Sequence, residues 1–223
     1  MNPTPPALPW WARLYLWATE RLYHEFAWAY DAVSWLVSLG RWHRWRSLAL
    51  DHVWGERVLE LGCGTGALLT ETARRGWRTV GVEPSPEMRR VAHRRLRRAG
   101  SAASLLAADA RALPFATGAF DTVVATFPSD YIARPEVLAE AARVLAPPAA
   151  GSGPRLVIAG LLVETDNRWL ALLPWFAPAG STVRAQEFLR ERARDAGLVL
   201  TVQPHRDGPV QVPVLVLEKQ HAE

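Results

Sequence analysis

The chain has 223 residues, which is enough for one large α/β domain with a helical extension and makes a two-domain organisation less favoured. Its single cysteine, Cys63, excludes an intrachain disulfide and favours a reducing compartment, so we expect a cytoplasmic location. The formal charge is only +4, and the basic residues are arginines apart from Lys219, so composition does not require a nucleic-acid partner.

The first 50 residues are predicted to form a cap outside the main domain. Residues 1–9 are rich in proline and are expected to be a disordered tail. Residues 10–50 place apolar side chains at steps of three and four, which predicts an N-terminal helical cap. Gly40 is expected to end one helix before a second one leads into the first strand.

From residue 51 to residue 223 short apolar strands alternate with amphipathic helices. We predict strands at residues 57–61, 79–83, 104–109, 120–126 and 155–162, and helices at residues 66–75, 86–98, 135–145 and 182–196. This order is typical of a Rossmann-like, doubly wound α/β fold with a mostly parallel sheet.

The C-terminal segment changes character. Residues 198–203 and 210–217 are apolar runs separated by His205-Arg206-Asp207-Gly208, which is hairpin chemistry, so the sheet is expected to end in an antiparallel pair. Pro213 cannot donate a ladder hydrogen bond, and we expect a bulge or an unpaired edge at that residue.

One glycine-rich turn follows the first predicted strand. Gly62, Gly64 and Gly66 let a ligand approach the backbone where side chains would collide with it. The same stretch also satisfies the dinucleotide fingerprint, so the glycines do not by themselves distinguish NAD from another adenosine cofactor. Glu83 at the end of the second strand can bind ribose hydroxyls, and Asp109 at the end of the third can accept a hydrogen bond from an adenine amino group.

Five segments in sequence order resemble the motifs of class I S-adenosylmethionine (SAM)-dependent methyltransferases. They are residues 60–66 (ELGCGTG), 81–88 (GVEPSPEM), 108–115 (ADARALPF), 120–124 (FDTVV) and 143–147 (RVLAP). The resemblance implies a seven-stranded sheet with a reversed last strand, SAM as the cofactor of residues 51–223, and methyl transfer as the reaction. No metal site is expected.

The resemblance also implies which residues bind the cofactor. Glu60 would lie beside the methionine end, Glu83 would hold the ribose, Met88 would pack on the adenine, and Asp109 with Ala110 would bind the adenine edge. The full set of implied cofactor-binding residues is Tyr30, Glu60, Gly62, Cys63, Gly64, Gly66, Glu83, Pro84, Met88, Asp109, Ala110 and Phe127.

The N-terminal segment is similar to a narrower group, the ubiquinone/menaquinone C-methyltransferases. The similarity is carried by Tyr30-Asp31, by Ser38-Leu39-Gly40 and by Arg44-Trp45-Arg46. In that group the helix and its tyrosine close over SAM, which implies the same for Tyr30. An Arg-Asn pair that follows the fourth strand in that group is replaced here by residues 127–132 (FPSDYI), so a phospholipid amine is as good a candidate acceptor as a quinone.

Asp130 and Tyr131 are the candidates for orienting or deprotonating an acceptor, while Cys63 is interpreted as a small turn residue rather than a nucleophile. The aromatic N-terminus indicates either a helix packed over the cofactor or peripheral contact with a membrane, and both interpretations favour a small lipophilic acceptor. Two other functions stay open: an NAD-dependent oxidoreductase, and a catalytically silent methyltransferase-like module that binds a membrane or a protein.

Overall fold

The computed structural model describes residues 30–38, 40–148, 153–172, 176–178 and 180–219. It begins with two short helices, α1 (Tyr30–Val37) and α2 (Trp42–Ser47), followed by a 3₁₀ helix (Leu48–His52). Gly40 lies between α1 and α2 with a φ of +80°, so it ends the first helix as predicted. The expected tail at residues 1–9 and the helical pattern of residues 10–29 lie outside the described residues.

The rest of the chain alternates strands and helices. The strands are β1 (Arg57–Leu61), β2 (Arg78–Val82), β3 (Ser104–Leu106), β4 (Thr122–Thr126), β5 (Arg155–Ala159), β6 (Glu164–Thr165), β7 (Ala177–Pro178), β8 (Leu198–Gln203), β9 (Arg206–Asp207), β10 (Val210–Gln211) and β11 (Val214–Lys219). The helices are α3 (Ala67–Arg74), α4 (Pro86–Arg98), α5 (Pro135–Val144) and α6 (Val183–Asp195), with 3₁₀ helices at Asp130–Ala133 and Leu170–Leu172.

Seven strands form the central sheet, in the order β3-β2-β1-β4-β5-β11-β8. β3, β2, β1, β4 and β5 pair in parallel, and β11 pairs antiparallel with both β5 and β8. The Rossmann-like fold class, the reversed last strand and the antiparallel C-terminal pair are therefore confirmed.

Several strands are shorter than the sequence predicts because local side-chain or backbone geometry ends them. The strand expected at residues 104–109 stops at Leu106, and Asp109 turns the chain by accepting a hydrogen bond from the backbone nitrogen of Arg111 at 2.8 Å. The strand expected at residues 155–162 stops at Ala159, because Gly160 adopts a φ of +77°.

The apolar run at residues 210–217 is interrupted at Pro213, where the sequence predicts a bulge or an unpaired edge. It is divided into β10 and β11 by Val212 and Pro213, and Val212 turns aside to donate its backbone N–H to the His205 carbonyl at 2.8 Å. β10 then forms a small second sheet, in the order β7-β6-β10-β9, with Gly208 in the turn between β9 and β10. The unpaired backbone at Pro213 agrees with its missing donor.

The part of the cap at residues 41–50 packs on the rest of the chain through two sets of contacts. Ala49 and Leu50 are buried in an apolar cluster with strand residues Val58, Val124 and Val157. On the other side of α2, the Trp45 indole nitrogen donates to the Asp207 carboxylate at 2.8 Å and Arg41 donates to the Asp207 carbonyl at 3.2 Å. The cap is therefore attached both to the central sheet and to the small sheet.

Candidate cofactor-binding site

The turn after β1 has the left-handed backbone that its glycines predict. Gly62, Gly64 and Gly66 have φ angles of +61°, +53° and +72°. The turn is held by a hydrogen bond from the Cys63 backbone nitrogen to the Val82 carbonyl and by another from the Gly66 nitrogen to the Cys63 carbonyl. L-amino acids with a Cβ rarely adopt these angles, so all three positions favour glycine for the backbone alone.

The three glycines nevertheless face different surroundings. A Cβ added at Gly62 would lie 2.8 Å from the Tyr131 hydroxyl, and one at Gly66 would lie 2.9 Å from the Ala92 Cβ. A Cβ at Gly64 would meet nothing nearer than the Gly62 carbonyl oxygen at 4.0 Å. Gly62 and Gly66 therefore make room for neighbouring side chains of the protein. Gly64 instead leaves its backbone accessible from the cavity over the turn.

Glu83 connects this turn to the start of α4. Its buried carboxylate accepts hydrogen bonds from the backbone nitrogens of Gly64 at 3.0 Å and Ser85 at 2.9 Å. Ser85 in turn caps α4 by accepting a hydrogen bond from the Met88 nitrogen at 3.2 Å. Glu83 therefore ties the glycine-rich turn to the start of α4.

The carboxylate of Glu60 is buried with one oxygen that lacks a hydrogen-bond partner among the described residues. The residue is 2% exposed, and its Oε2 makes no hydrogen bond to any described residue. Burial raises the pKa of Glu60 to about 8, the negative charge of Glu83 acts in the same direction, and the positive charge of Arg46 opposes them. The site therefore favours either a protonated Glu60 or a cation placed beside it.

Arg46 from α2 is the positive counterpart of Glu60. Its Nε is buried without a hydrogen-bond partner in the described part of the chain, while its Nη2 lies 3.1 Å from His43 Nδ1. Burial lowers the pKa of Arg46, and the negative charges of Glu60 and Asp31 partly offset that effect. Glu60 and Arg46 line the same cavity, but no hydrogen bond or ion pair joins them.

The cavity over the turn is small because the cap covers it. Its described lining consists of Asp31, Trp42, Arg46, Glu60, Gly62, Cys63, Gly64, Thr65, Ala67, Leu68, Thr126 and Phe127. It encloses about 30 Å³, whereas pockets for small molecules typically measure ~300 Å³ or more. In this arrangement of the cap the cavity has no room for a nucleoside cofactor.

An aromatic stack forms one wall of the cavity. The rings of Trp42 and Phe127 lie 3.6 Å apart at their centroids and 20° from parallel. Phe127 follows β4 with a φ of +47°, and a Cβ at Gly160 would lie 2.4 Å from its ring. Phe127 therefore lies where the sequence predicts, at the carboxyl end of β4 beside the glycine-rich turn.

A three-residue latch joins α1 to the turn. Thr65 donates from its hydroxyl to Asp31 at 2.9 Å, and Arg95 of α4 donates to the Thr65 hydroxyl at 2.7 Å and to its carbonyl at 3.0 Å. Arg95 also forms an ion pair with Asp31. Asp31, Thr65 and Arg95 thus hold the cap closed against the turn.

Tyr131 lies against the turn, but Asp130 does not. The Tyr131 hydroxyl donates to the Leu61 carbonyl at 3.3 Å, and burial together with the charges of Glu83 and Glu60 raises its pKa above the ordinary value. The phenol therefore stays protonated at neutral pH and can donate a hydrogen bond rather than act as a base. The Asp130 side chain is 87% exposed and lies 3.9 Å from Arg134, so the structure does not bring it to the cavity.

The remaining predicted residues lie outside the cavity. Asp109 is paired with the Arg111 guanidinium at 2.6 Å, which lowers its pKa, and the neighbouring Ala110 packs against the apolar core. Met88 is fully buried, and Pro84 is exposed, with its carbonyl accepting from Arg89 at 2.7 Å. The side chain of Tyr30 lies outside the described residues, so its closure over the cofactor stays a prediction.

Cys63 has the environment of an unreactive thiol. Its side chain is buried, and burial with the nearby charges of Glu60 and Glu83 raises the pKa of the thiol well above its ordinary value. A protonated thiol is a weak nucleophile, which agrees with the interpretation of Cys63 as a small turn residue.

Sequence comparison places this site in a known family. Residues 58–148 match the methyltransferase domain family Methyltransf_25. A demethylmenaquinone methyltransferase from Beutenbergia cavernae is 33% identical over 188 residues, which cover 78% of this chain and 74% of the relative. The chain belongs to the class I SAM-dependent methyltransferases. The competing dinucleotide interpretation of the glycines has no comparable support.

Other relatives match a smaller share of their own length. A demethylmenaquinone methyltransferase from Thermus thermophilus is 38% identical over 143 residues, which cover 61% of this methyltransferase and 63% of the relative. The match spans about half to two thirds of the first curated relatives. Among solved structures, a geranyl diphosphate C-methyltransferase from Streptomyces coelicolor, in complex with Mg²⁺, geranyl diphosphate and S-adenosylhomocysteine, has the same fold, with a TM-score of 0.58 at 16% identity over 80% of this chain and 79% of that one.

Within the described residues, no helix has both the length and the apolar character that crossing a membrane requires.

Proposed function

We propose that this methyltransferase transfers a methyl group from SAM to a small lipophilic acceptor of the quinol type. The observation that carries the proposal is the pair formed by Glu60 and Arg46. The buried carboxyl group of Glu60 and the half-buried guanidinium of Arg46 line one cavity, and each has an atom that lacks a hydrogen-bond partner among the residues described. An amino acid zwitterion, such as the methionine end of SAM, supplies the ammonium and the carboxylate that would complete them.

The remaining contacts of the turn also fit SAM. Gly64 presents bare backbone to the cavity, and Glu83, which accepts from the Gly64 nitrogen, is the proposed partner of the ribose hydroxyls. Asp109 and Ala110, at the turn after β3, and the buried Met88 at the start of α4 are the proposed adenine contacts. In the closed form the cap fills this space, so we propose that SAM enters when the cap opens and that the cap then closes over it.

SAM supplies an electrophilic methyl group, and the protein's task is to align the acceptor with it and to exclude water. Glu60 and Arg46 would fix the methionine end so that the sulfonium has one orientation. The stacked rings of Trp42 and Phe127 would exclude water from that end of the cavity. Tyr131, which stays protonated and donates to the Leu61 carbonyl, would orient an acceptor hydroxyl by accepting a hydrogen bond from it.

The relatives and the apolar surface support a lipophilic acceptor. The curated relatives are demethylmenaquinone methyltransferases. Trp35 of α1 and Trp169 in the segment after β5 are 61% and 76% exposed, and exposed tryptophans are typical of surfaces that meet apolar partners or membrane interfaces. We therefore also propose peripheral contact with the membrane in which such an acceptor would dissolve.

Methyl-labelled SAM tests the proposal directly. The full chain would be incubated with a demethylated naphthoquinol and, separately, with phosphatidylethanolamine, and the products analysed by mass spectrometry. Label in the quinol supports the proposed acceptor, and label in the phospholipid alone replaces it with a lipid amine.

Binding measurements separate the remaining functions. Calorimetric binding of SAM without turnover on either acceptor would favour the silent module, and binding of NAD(H) without SAM would favour an oxidoreductase. Glu60→Gln should weaken SAM binding, and normal SAM affinity in that variant would contradict the proposed role of the Glu60 and Arg46 pair.

A further inference from the structure

A second concave surface lies between α3 and α4, on the other side of the latch from the cofactor cavity. This groove has a volume of about 580 Å³, within the range of small-molecule sites. Its described lining consists of Asp31, Ala67, Thr70, Arg74, Val91, Arg94, Arg95, Arg98 and Ala99. Four arginines and one aspartate make it strongly cationic.

The groove is formed by one face of α3 and one face of α4, and on each helix the groove residues are spaced by three or four positions. On α4, residues 91, 94, 95, 98 and 99 recur at steps of three and four, so they share one side of the helix. On α3, residues 67, 70 and 74 do the same. Small side chains such as Ala67 and Ala99 leave room for a ligand, and the arginines stand at its edges.

The side chains of three of the arginines have no partner among the residues that the structure describes. Arg74, Arg94 and Arg98 are exposed, and none of them forms a hydrogen bond or an ion pair with another residue of the described chain. On the same helix Arg90 contacts Glu87 at 2.8 Å and Arg95 contacts Asp31, whereas Arg97 is exposed outside the groove. The groove thus brings together, from two helices, three exposed arginines that have no partner among the described residues.

We infer that this groove binds a phosphate ester. Guanidinium groups bind phosphate oxygens with two parallel hydrogen bonds, and arginines on two facing helices can hold one phosphate from both sides. A phospholipid headgroup and a soluble phosphate ester share this chemistry. Trp35 lies one helical turn after Asp31 on α1 and is exposed, which places an aromatic side chain close to the groove.

The test compares two double variants of the full chain. Arg94→Ala/Arg98→Ala removes two groove arginines. Arg97→Ala/Arg194→Ala removes two exposed arginines from the last turns of α4 and α6, outside the groove, so it reproduces the loss of charge and of the favourable helix-dipole contact. Thermal melts of both variants check that the fold is retained.

Sedimentation with vesicles of phosphatidylcholine, with and without phosphatidylglycerol, measures the lipid arm. Calorimetry with glycerol 1-phosphate measures the soluble arm. In at least one arm the groove variant should bind roughly thirtyfold more weakly than the wild type, which corresponds to about 1 kcal/mol per arginine, and the control variant should bind nearly as well as the wild type.

The arm that responds identifies the source of the phosphate. Loss with phosphatidylglycerol vesicles alone assigns the groove to a membrane headgroup, and loss with glycerol 1-phosphate assigns it to a soluble ester. Equal binding by the two variants in both arms would overturn the inference, as would no binding by the wild type.

Discussion

Gly64 and Gly76 both have left-handed backbone, with φ angles of +53° and +83°, but only Gly64 faces the cofactor cavity. A Cβ at Gly76 would meet no atom within 4 Å. Alanine substitutions at these two glycines therefore distinguish the effect of backbone strain, which both share, from the effect of filling the cavity, which only Gly64 would show.

We expect Gly64→Ala to weaken SAM binding by at least about tenfold, because the new methyl group occupies space where the cofactor would contact the backbone. Gly76→Ala should cost a similar amount of stability, about 1 kcal/mol, and leave SAM affinity unchanged. Calorimetry and thermal melts on both variants check this. Equal SAM affinity in the two would show that Gly64 does not contact the cofactor.

If Glu60 binds the methionine end of SAM as proposed, SAM binding should depend on pH. Its pKa of about 8 means that the carboxyl is largely protonated at neutral pH when the cofactor is absent, and it must lose that proton to pair with the ammonium group of SAM. SAM affinity should therefore fall as pH decreases below about 8, by up to about tenfold per pH unit. Titrations of wild type and Glu60→Gln across this range test it, and an identical pH dependence in both would contradict it.

At the residue scale, the sequence predicts the part of the site that is built from the strand ends of the central sheet, because those residues lie in recognisable motifs. The glycines, Glu60 and Glu83 lie in ordered segments next to strand ends, so their positions follow from the sheet. Arg46 and Trp42 were missed because they reach the cavity from the cap, where no motif marks an inward-facing side chain. The only signal was the resemblance of Arg44-Trp45-Arg46 to a family that closes this segment over SAM.

The contact between α1 and the turn depends on one partly exposed ion pair. Asp31 and Arg95 have side chains that are 37% and 31% exposed, and Thr65 bridges them to the turn. Such a pair contributes about 1 kcal/mol or less to closure. Loss of this ion pair should therefore shift the cap towards its open form by a modest amount.

We expect Asp31→Asn to open the cap more often, which should raise the amide exchange of residues 41–50 and the rates of SAM association and dissociation by roughly threefold to fivefold. Asp51→Asn is the matched control, since Asp51 lies in the same cap and is exposed to solvent. Hydrogen exchange and stopped-flow binding measure the effect. Unchanged exchange in Asp31→Asn would show that the latch does not limit opening.

At the element scale, long periodic segments were predictable and very short ones were not. The helix Pro86–Arg98 and the strands Arg57–Leu61 and Leu198–Gln203 have the predicted limits. The small sheet is built from strands of two residues, which are too short to show alternation in the sequence. It forms because residues distant in the chain, such as Thr165 and Val210, pair in space.

At the scale of the whole molecule, Glu60 also links folding to pH. The pKa of Glu60 is higher in the folded chain than its ordinary value of 4.5, so the folded state retains a proton that the unfolded state releases between about pH 4.5 and 8. The free energy of unfolding should therefore lose up to about 1.4 kcal/mol per pH unit from this group as pH rises through that window.

Thermal melts of the cofactor-free protein at about pH 5.5 and about pH 8.5 test this prediction. Glu60→Gln cannot release the proton, so it should melt at a higher temperature than the wild type at the higher pH and close to it at the lower pH. Added SAM should reduce the difference between the two melting temperatures at the higher pH, because it should bind and stabilise the wild type better than Glu60→Gln. A constant difference between the two proteins at both pH values would mean that Glu60 is ionised throughout.

Asp207 gives the cap an attachment that is separate from the latch, since Trp45 and Arg41 both donate hydrogen bonds to it. Asp207 belongs to β9, and β9 shares its small sheet with β6 and β7, the strands that follow β5. The part of the chain that covers the methyl donor is thereby fastened to the part that borders the space beyond β5. A shift of the small sheet would therefore act first on Trp45, whose neighbour Arg46 lines the cofactor cavity together with Trp42.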